Sequence, residues 1–165
     1  MDVRGFEPKS TPSATVLVLG TLPGEESIRR GEYYANPRNA FWRIVESLFG
    51  IPATEPYAER VRRLNEAGVA LWDVCAAATR PGSLDASIRR GSEDPNDFAA
   101  FLATHPHIKL ICFNGAKAAA LFREHVKPSA PVECIDLPST SPAHAAMSFE
   151  EKVKRWDVIR KACET

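Results

Sequence analysis

Residues 14–27 read ATVLVLGTLPGEES, and this stretch decides the fold class. The apolar run 14–19 is typical of a strand that is buried on both faces, and the glycine- and proline-containing segment 20–24 predicts a tight turn. Glu25 and Glu26 suit the first turn of a helix, because the helix dipole favours negative charge there. The stretch therefore predicts a strand, a turn and a helix start, an arrangement that often holds a phosphate or an attacking water.

Apolar runs and helical patterns alternate along the rest of the chain. Such alternation predicts a parallel sheet that is covered by helices on both faces. We expect a single-domain α/β protein over residues 1–165, a three-layer α/β/α sandwich with a central four-stranded parallel sheet and an N-terminal arm over 1–13. The predicted strands cover 14–20, 68–74, 108–113 and 131–137, and the predicted helices cover 38–50, 55–68, 94–105 (with Asp94 as the capping residue and Pro95 at the first helical position), 115–126 and 148–163.

The composition is that of an ordinary globular protein, with 44% hydrophobic and 25% charged residues in a chain of 165. Lysine plus arginine and aspartate plus glutamate number 21 each, which argues against a non-specific nucleic-acid coat but leaves room for a local basic face. The sequence shows neither a secretory signal nor an apolar run of membrane length. We therefore expect a cytoplasmic protein without metal or cofactor, in which the four widely spaced cysteines are reduced thiols: Cys75, Cys112, Cys134 and Cys163.

Ligands of parallel α/β folds bind in the loops at the carboxyl ends of the strands. In this chain those loops are small, polar and rich in glycine, proline and serine. The functional site is therefore expected where four loops converge: GTLPGEES (20–27), DVCAAATRPGSLD (73–85), FNGAK (113–117) and LPSTSPAHA (137–145).

The last of these loops carries Ser139, Thr140 and Ser141 between two prolines. Their hydroxyls and free backbone N–H groups could hold a phosphate, and a stiff polar turn explains the loop about equally well. A serine of this loop, or Cys75, could also pair with His144 as nucleophile and base. No G-x-S-x-G elbow surrounds the serines, so that interpretation is the weaker one.

Three polar residues stand out near the ends of predicted strands. The position of Asn114 directly before a predicted helix favours a role as the cap of that helix, and its side chain could equally point into the pocket or at a phosphate. Lys117 lies in a first helical turn, where the dipole disfavours a cation, and this favours a ligand for it. Asp73 ends an otherwise apolar strand, where a carboxylate is costly unless it is functional or held by a salt bridge or a cap.

Residues 33–42, YYANPRNAFW, form the most unusual stretch of the chain. Aromatic faces beside amides suit stacking on a nucleobase and hydrogen bonding to its edge. The structural alternative places Tyr33 in the core and Asn39 at the cap of the following helix. Phe41 and Trp42 are expected in the core under both interpretations.

Together these segments resemble the uracil-DNA glycosylase superfamily across nearly the whole chain. GTLPGEES stands where that superfamily has its first motif, and NPRNAFW is similar to the P-x-N-x-F-W segment of its mismatch-specific thymine/uracil branch. FNGAK is similar to the third strand of that branch, and LPSTSPA resembles the closing DNA-binding motif. In their amino-acid sequence, the segments are most similar to the deoxyinosine (hypoxanthine) branch. The segments that carry this similarity are LPGEES, YYANPRNAFWRI, LWDV, RPGSLDASI and LPSTSPAH.

The resemblance implies a DNA repair enzyme that flips a deaminated base out of the duplex and hydrolyses its N-glycosidic bond, leaving an abasic site. Hypoxanthine is the favoured base, with uracil and xanthine as further substrates. Two positions depart from the superfamily's motifs, because Leu22 replaces the water-activating Asp or Asn and Leu137 replaces the histidine of the closing motif. The resemblance implies that catalysis has moved to Asn39, while backbone groups at Gly20 and Thr21 orient the sugar or water.

The resemblance also implies a role for the other residues of the site. Tyr34 would stack on the base, Asp73 would read its Watson–Crick edge, and Asn39 would position the water that attacks C1′. Gly20, Thr21, Leu22 and Asn114 would complete the base pocket. The residues expected to bind DNA are Ser139, Thr140, Ser141, Ala143, His144, Lys117 and Arg80. Of these, Ala143 or His144 would approach the gap that the flipped base leaves in the stack. Arg89 and Arg90 would either extend a basic patch or simply be solvated.

Several alternatives stay open at this point. Within the superfamily, the chain could be a uracil or thymine mismatch glycosylase, or a catalytically weak DNA-binding member. Outside it, the phosphate-friendly loops also fit a nucleotide- or phosphoester-processing α/β enzyme. Under the favoured interpretation the partner is DNA with a damaged base, the protein is a monomer away from membranes, and the DNA strand is not cleaved.

Overall fold

The chain folds into seven short strands and six helices over the residues that the computed structural model describes, 2–126 and 132–164. Pro131, the first residue of the fourth predicted strand, lies outside the described residues. The strands are β1 (Asp2–Arg4), β2 (Val16–Gly20), β3 (Val69–Asp73), β4 (Cys75–Thr79), β5 (Asp94–Pro95), β6 (Leu110–Asn114) and β7 (Glu133–Leu137). The helices are α1 (Glu25–Arg30), α2 (Phe41–Phe49), α3 (Tyr57–Glu66), α4 (Phe98–Thr104), α5 (Ala116–His125) and α6 (Phe149–Cys163).

The predicted central sheet is confirmed. Its four strands run parallel in the order β3-β2-β6-β7. Alternate residues of the strands belong to two separate hydrophobic clusters, one on each face of the sheet. Each cluster also contains helix residues, so helices cover both faces. Leu17 and Trp72 pack on the side of α4 and α5, whereas Val16 and Leu71 pack on the side of α2, α3 and α6. The α/β/α sandwich follows from strands that are apolar on both faces.

A second, antiparallel sheet in the order β1-β4-β5 was not predicted. Val3 of β1 pairs with Ala78 of β4, so the N-terminal arm is hydrogen-bonded into the fold. Further along the arm, Lys9 and Leu71 exchange two backbone hydrogen bonds at 2.9 Å, which covers the β3 edge of the central sheet.

The predicted start of the fourth helix is wrong. Asp94 and Pro95 form β5 and pair with β4, because the ladder to a neighbouring strand outweighs the local capping pattern. Helix α4 instead begins at Phe98. Its cap is Asp97, whose side chain accepts a hydrogen bond from the amide of Ala100 at 3.0 Å.

The strand register brings the ends of the central strands to one edge of the sheet. Gly20 lies opposite Asp73, and Asn114 lies opposite Leu137. The loops that follow these residues therefore meet above the same edge, as the sequence predicts. None of the described helices is long and apolar enough to cross a membrane.

Helix α6 fixes the loop that follows β7. The indole N–H of Trp156, a fully buried residue, donates to the carbonyl oxygen of Pro138 at 2.9 Å. The ammonium of Lys152 donates to the carbonyl oxygen of His144 at 2.7 Å. Both ends of the segment 138–144 are thus tied to one helix through backbone oxygens.

We expect Trp156→Phe to lower the free energy of unfolding by about 1–3 kcal/mol, because the carbonyl of Pro138 loses its buried donor. Urea unfolding measures the loss, and hydrogen exchange should accelerate at the amides of Ser141 and Ala143. Trp72→Phe is the matched control, since its indole N–H donates to the carbonyl oxygen of Phe6 at 3.1 Å and its ring packs on the opposite face of the sheet. Equal exchange rates in the two variants would show that Trp156 does not fix the loop.

Candidate active site

A cleft of about 760 Å³ opens at the carboxyl edge of the parallel sheet. Four segments form its walls: the turn after β2, the stretch 33–39 before α2, the turn 83–86 after β4, and the loop 139–144 after β7. A volume of this size accommodates a nucleobase with part of its sugar. The predicted site residues that line the cleft are Gly20, Thr21, Leu22, Tyr34, Asn39, Asp73, Asn114, Ser139, Thr140, Ser141, Ala143 and His144.

Asp73 forms the floor of the cleft. It is only 3% exposed and lies beside Gly20, where an added Cβ would stand 2.7 Å from Asp73 Oδ1. Glycine is therefore required at position 20 for this carboxylate to fit. Within the described residues, Asp73 Oδ2 has no hydrogen-bond partner and no salt bridge holds the group. The salt-bridge and cap interpretations of Asp73 are wrong, and its functional role stays a prediction.

The surroundings of Asp73 change its protonation. Burial raises the pKa of Asp73 from its ordinary value of 3.8 to about 7, and the negative charge of Asp85 acts in the same direction. The guanidinium of Arg80 opposes this shift of the pKa but does not cancel it. Near neutral pH, Asp73 is therefore present both as a carboxylate, which only accepts hydrogen bonds, and as an acid, which also donates one.

Tyr34 stands beside this floor in a strained backbone conformation. Its φ of 58° is in the left-handed region, and it is the only non-glycine residue with positive φ among those described. One ring face stacks on Phe41 with centroids 4.2 Å apart, and the phenol oxygen lies 3.2 Å from the Cβ position of Gly20. Burial raises the pKa of Tyr34 far above its ordinary value, so the buried hydroxyl stays protonated.

Asn114 and Thr140 hold each other by two hydrogen bonds. Asn114 Nδ2 donates to Thr140 Oγ1 and the Thr140 amide donates to Asn114 Oδ1, both at 2.9 Å. The helix-cap interpretation of Asn114 is therefore wrong. Gly115 precedes α5 instead, at a φ of 98°, and a Cβ added there would stand 3.1 Å from the Cβ of Ser139, so the positive φ and the close approach both favour glycine.

The loop 139–144 is a stiff polar turn, not a nest of free amides. Ser139 Oγ accepts from the amide of Ser141 at 3.1 Å, and Ser141 Oγ accepts from the amide of Ala143 at 3.2 Å. The amide of Thr140 is likewise occupied, and Thr140 is only 1% exposed. These amides, and that of His144, are therefore not free to hold a phosphate, although the serine hydroxyls can still donate.

The nucleophile interpretations also fail. Within the described residues no hydrogen bond joins the exposed imidazole of His144 to Ser139 or Ser141. Cys75 is 1% exposed and does not line the cleft, and burial raises its pKa to about 12. A thiol with so high a pKa is not a nucleophile near neutral pH.

Asn39 sits on the cleft wall, directly before Ala40, the N-cap residue of α2. Its Oδ1 accepts a hydrogen bond from the amide of Phe41, the first residue of α2, at 2.9 Å. The structural interpretation of Asn39 thus holds in part, since its side chain satisfies one amide of the first turn from one position before the cap. It does not exclude a catalytic role, because the capping bond fixes the side chain while the second lone pair and the Nδ2 group stay available.

The turn after β2 offers no side chain that could activate water. Leu22 is 8% exposed and packs in the core cluster beside the cleft. The carbonyl oxygens of Gly20 and Thr21 accept from the amides of Val74 and Cys75, so one lone pair of each is already occupied, and the expectation that backbone groups here orient a sugar or water stays a prediction. The turn supplies shape, and chemistry must come from other segments.

Arg80 is not part of a surface basic patch. It is 1% exposed, and its guanidinium donates to the carbonyl oxygens of Pro23 at 2.6 Å and Gly82 at 2.8 Å. The predicted contact of Arg80 with DNA is wrong, because the side chain links two cleft loops from beneath. Lys117 is half-buried and does not line the cleft. Arg89 and Arg90 are exposed.

The loop 73–85 was expected at the site, but sequence reasoning did not single out Ser83 and Asp85 as residues of its wall. Ser83 Oγ accepts from the amide of Glu25 at 2.8 Å and so joins this wall to the turn after β2. Asp85, in a short 3₁₀ turn, lines the cleft, and burial raises its pKa. The signal was present in RPGSLDASI, whose glycine–serine turn directly precedes a carboxylate, but the pairing of this carboxylate with Asp73 is visible only in three dimensions.

We expect Asp73→Asn to stabilise the fold near pH 8 and to change it little near pH 4. The pKa of Asp73 is about 7 in the folded chain against an ordinary 3.8, so the folded chain keeps the proton of Asp73 up to a higher pH than the unfolded chain does. Stability therefore falls as pH rises between these values, by at most about 4 kcal/mol, and the amide removes this loss. Thermal unfolding of both proteins across pH measures the difference; Asp136→Asn, at an exposed ion pair, is the control. A pH-independent difference would contradict the assigned environment of Asp73.

Comparison with known proteins matches both the fold and the cleft-lining segments. The family model of the uracil DNA glycosylase superfamily matches residues 8–160. A Methanosarcina acetivorans protein named hypoxanthine DNA glycosylase is 36% identical over 157 residues, which cover 94% of this chain and 96% of that protein. A protein of the same name from Methanosarcina barkeri is 37% identical over 119 residues, covering 72% and 74%.

A solved structure has the same architecture. The solution NMR structure of a candidate uracil DNA glycosylase from Methanosarcina acetivorans superimposes with a TM-score of 0.83 at 36% sequence identity. The match covers 100% of both chains. The similarity therefore includes the loops that form the cleft as well as the central sheet.

Proposed function

Because this chain belongs to the uracil DNA glycosylase superfamily, we propose that it removes hypoxanthine from DNA by hydrolysing the N-glycosidic bond of deoxyinosine. Two relatives that share most of its length are named for this activity. The observation that carries the proposal is the floor of the cleft, where the carboxylate of Asp73 is buried with one unpartnered oxygen. Such a group is costly in the free protein and gains a partner when a base with an N–H edge enters.

Base recognition depends on whether Asp73 accepts or donates a hydrogen bond. Ionised, it accepts from N1–H of hypoxanthine, whereas adenine presents an unprotonated N1 whose lone pair opposes the carboxylate. Burying that mismatch costs roughly 1–3 kcal/mol or more. Tyr34 supplies a ring for stacking, since one of its faces is fixed on Phe41 and the residue is half-exposed. Uracil and xanthine also carry an N–H edge and are expected as weaker substrates.

Catalysis is assigned to Asn39, which is held by the capping bond at the cleft wall. Its amide orients a water towards C1′ while the leaving base withdraws and the sugar becomes oxocarbenium-like. Negative charge on Asp73 and Asp85 favours the cationic sugar at the same stage. The hydroxyls of Ser139 and Ser141 contact the DNA backbone at the opposite wall.

A panel of oligonucleotides tests the proposal directly. Each carries one hypoxanthine, uracil, xanthine, thymine mismatch or ethenocytosine, and alkali reveals the abasic sites after incubation. We expect release of hypoxanthine, with the DNA strand staying intact until alkali is added. EDTA should not reduce this release, since the described residues hold no group of three or more His, Cys, Asp or Glu that could bind a metal ion. Turnover of free deoxyinosine phosphates without activity on DNA would favour a nucleotide-processing enzyme instead.

We expect Asn39→Ala to reduce base release about 100-fold or more while affinity for an abasic-site duplex remains. Asn39→Ser separates the two roles of this residue, because serine still caps a helix but cannot replace the amide. Both variants should lose activity, and only Asn39→Ala should lose stability in thermal unfolding. Full activity in Asn39→Ser would show that position 39 acts only as a cap.

The preference for hypoxanthine over adenine should increase as pH rises through about 7, the pKa of Asp73, because the protonated acid can donate to adenine N1. Single-turnover rates on the two bases between about pH 6 and pH 8 measure the ratio. Asp85→Asn removes a neighbouring negative charge, lowers the pKa of Asp73 and moves this increase to lower pH. Asp73→Asn should abolish it. An unchanged base ranking in Asp73→Asn would make Asp73 structural.

A further inference from the structure

One arginine lines a cleft that is otherwise rich in carboxylates. Among the described residues, the cleft lining holds four carboxylates, one guanidinium and no lysine: Glu25, Glu26, Asp73, Asp85 and Arg38. The side chain of Arg38 is exposed, and Arg38 directly precedes Asn39, to which catalysis is assigned. Unpaired carboxylates repel a polyanion such as DNA, so the position of this single guanidinium matters for binding.

The backbone that carries Arg38 is a tight turn that begins at Asn36. The carbonyl oxygen of Asn36 accepts from the amide of Asn39 at 2.8 Å, and Asn36 Oδ1 accepts from the amide of Arg38 at 2.9 Å. Asparagine followed by proline favours such a turn, because the proline ring sets the φ of the second position. The amide of Ala40 then donates to the carbonyl oxygen of Thr140 at 2.9 Å, which attaches the turn to the loop after β7. The guanidinium therefore extends from a fixed point beside Asn39.

The guanidinium of Arg38 is available for a ligand. In the part of the chain that the structure describes, no ion pair, ring contact or side-chain hydrogen bond involves it. An arginine fork suits a phosphate, since its N–H groups bind two phosphate oxygens at once. Ion pairs hold six other arginines of the described chain: Arg29, Arg30, Arg62, Arg123, Arg155 and Arg160.

The cleft has little else that could neutralise a phosphate. The amides of Thr140, Ser141 and Ala143 are occupied by hydrogen bonds, and the serine hydroxyls of that loop carry no charge. His144 is positive only when it is protonated. A nucleotide that turns into the cleft brings a phosphate on each side of its sugar, and these phosphates need a positive charge at the rim. Arg38 is in the place to supply it.

We propose that Arg38 holds a phosphate that flanks the target nucleotide and so places the sugar against Asn39. The proposal rests on the proposed glycosylase function, because the sugar of a flipped nucleotide is the group that has to be placed. A phosphate contact fixes the register of the protein on DNA without reading the sequence, so Arg38 acts equally on every base that the cleft accepts. One such contact releases about one counterion from the DNA, and the contribution of Arg38 is therefore measurable through its dependence on salt.

The test compares wild type, Arg38→Gln, Arg38→Lys and Arg4→Gln. Arg4 is the matched control, since it is exposed in β1 and does not line the cleft. Affinity for a duplex with a tetrahydrofuran abasic site is measured between about 50 and 200 mM sodium chloride, and hypoxanthine release is measured in single turnover. In a second series, an uncharged methylphosphonate replaces the phosphate on the 5′ or on the 3′ side of the abasic site. Thermal unfolding of each variant checks the fold.

Arg38→Gln should bind about tenfold more weakly, and the slope of log affinity against log salt should become shallower by about 0.9, the value for one phosphate of B-DNA. Arg38→Lys should keep the slope and lose part of the affinity, because an ammonium keeps the charge but not the fork. Arg4→Gln should match wild type. On the duplex whose contacted phosphate is a methylphosphonate, wild type and Arg38→Gln should bind alike, and both should rank the released bases in the same order.

An unchanged affinity or slope in Arg38→Gln would overturn the proposal, as would an undiminished effect of this substitution on both methylphosphonate duplexes. If wild type binds the abasic duplex but releases no hypoxanthine, the proposed function fails, while the binding series still tests the phosphate contact. If wild type binds no DNA, both proposals fail.

Discussion

The burial of one carboxylate at the carboxyl edge of the parallel sheet governs the architecture of the site. Parallel pairing of β2 and β3 places Asp73 opposite Gly20, and the missing Cβ of that glycine is the space that the carboxylate occupies. With no ion pair to hold it, the group keeps a raised pKa and an unpartnered oxygen. The fold thus carries a destabilising polar group whose free energy improves when a complementary base edge is bound.

The loops around this carboxylate are tied down through backbone atoms. Arg80 holds the turn after β2 from beneath, Ser83 joins that turn to the segment 83–86, and Trp156 holds the loop after β7 at Pro138. A cleft built in this way is formed before DNA binds, so binding energy is not spent on ordering the loops. The strained backbone of Tyr34 belongs to the same arrangement, because the surrounding contacts keep its ring on Phe41.

The electrostatics of the cleft complement this geometry. Four carboxylates and one arginine line the cleft of a chain whose net charge is zero, and two of these carboxylates, Asp73 and Asp85, interact through their charges. Negative charge in this place disfavours entry of a phosphate and favours both an N–H edge and a cationic sugar. The proposed substrate, a neutral base with an N–H edge, fits such a cleft.

The central sheet, its covering helices and the edge at which the loops meet were predictable from the sequence, because strands that are buried on both faces appear as apolar runs. The sequence did not determine β5, where pairing with β4 outweighs the capping pattern of Asp94 and Pro95. It also left open where polar side chains point. Arg80 and Pro23 are 57 residues apart along the chain, and so the tertiary structure decided that this arginine lies beneath the cleft and not on the DNA. The physical reason is that a buried polar group takes whichever partner the fold brings within hydrogen-bond distance, and that partner is seldom a neighbour in sequence.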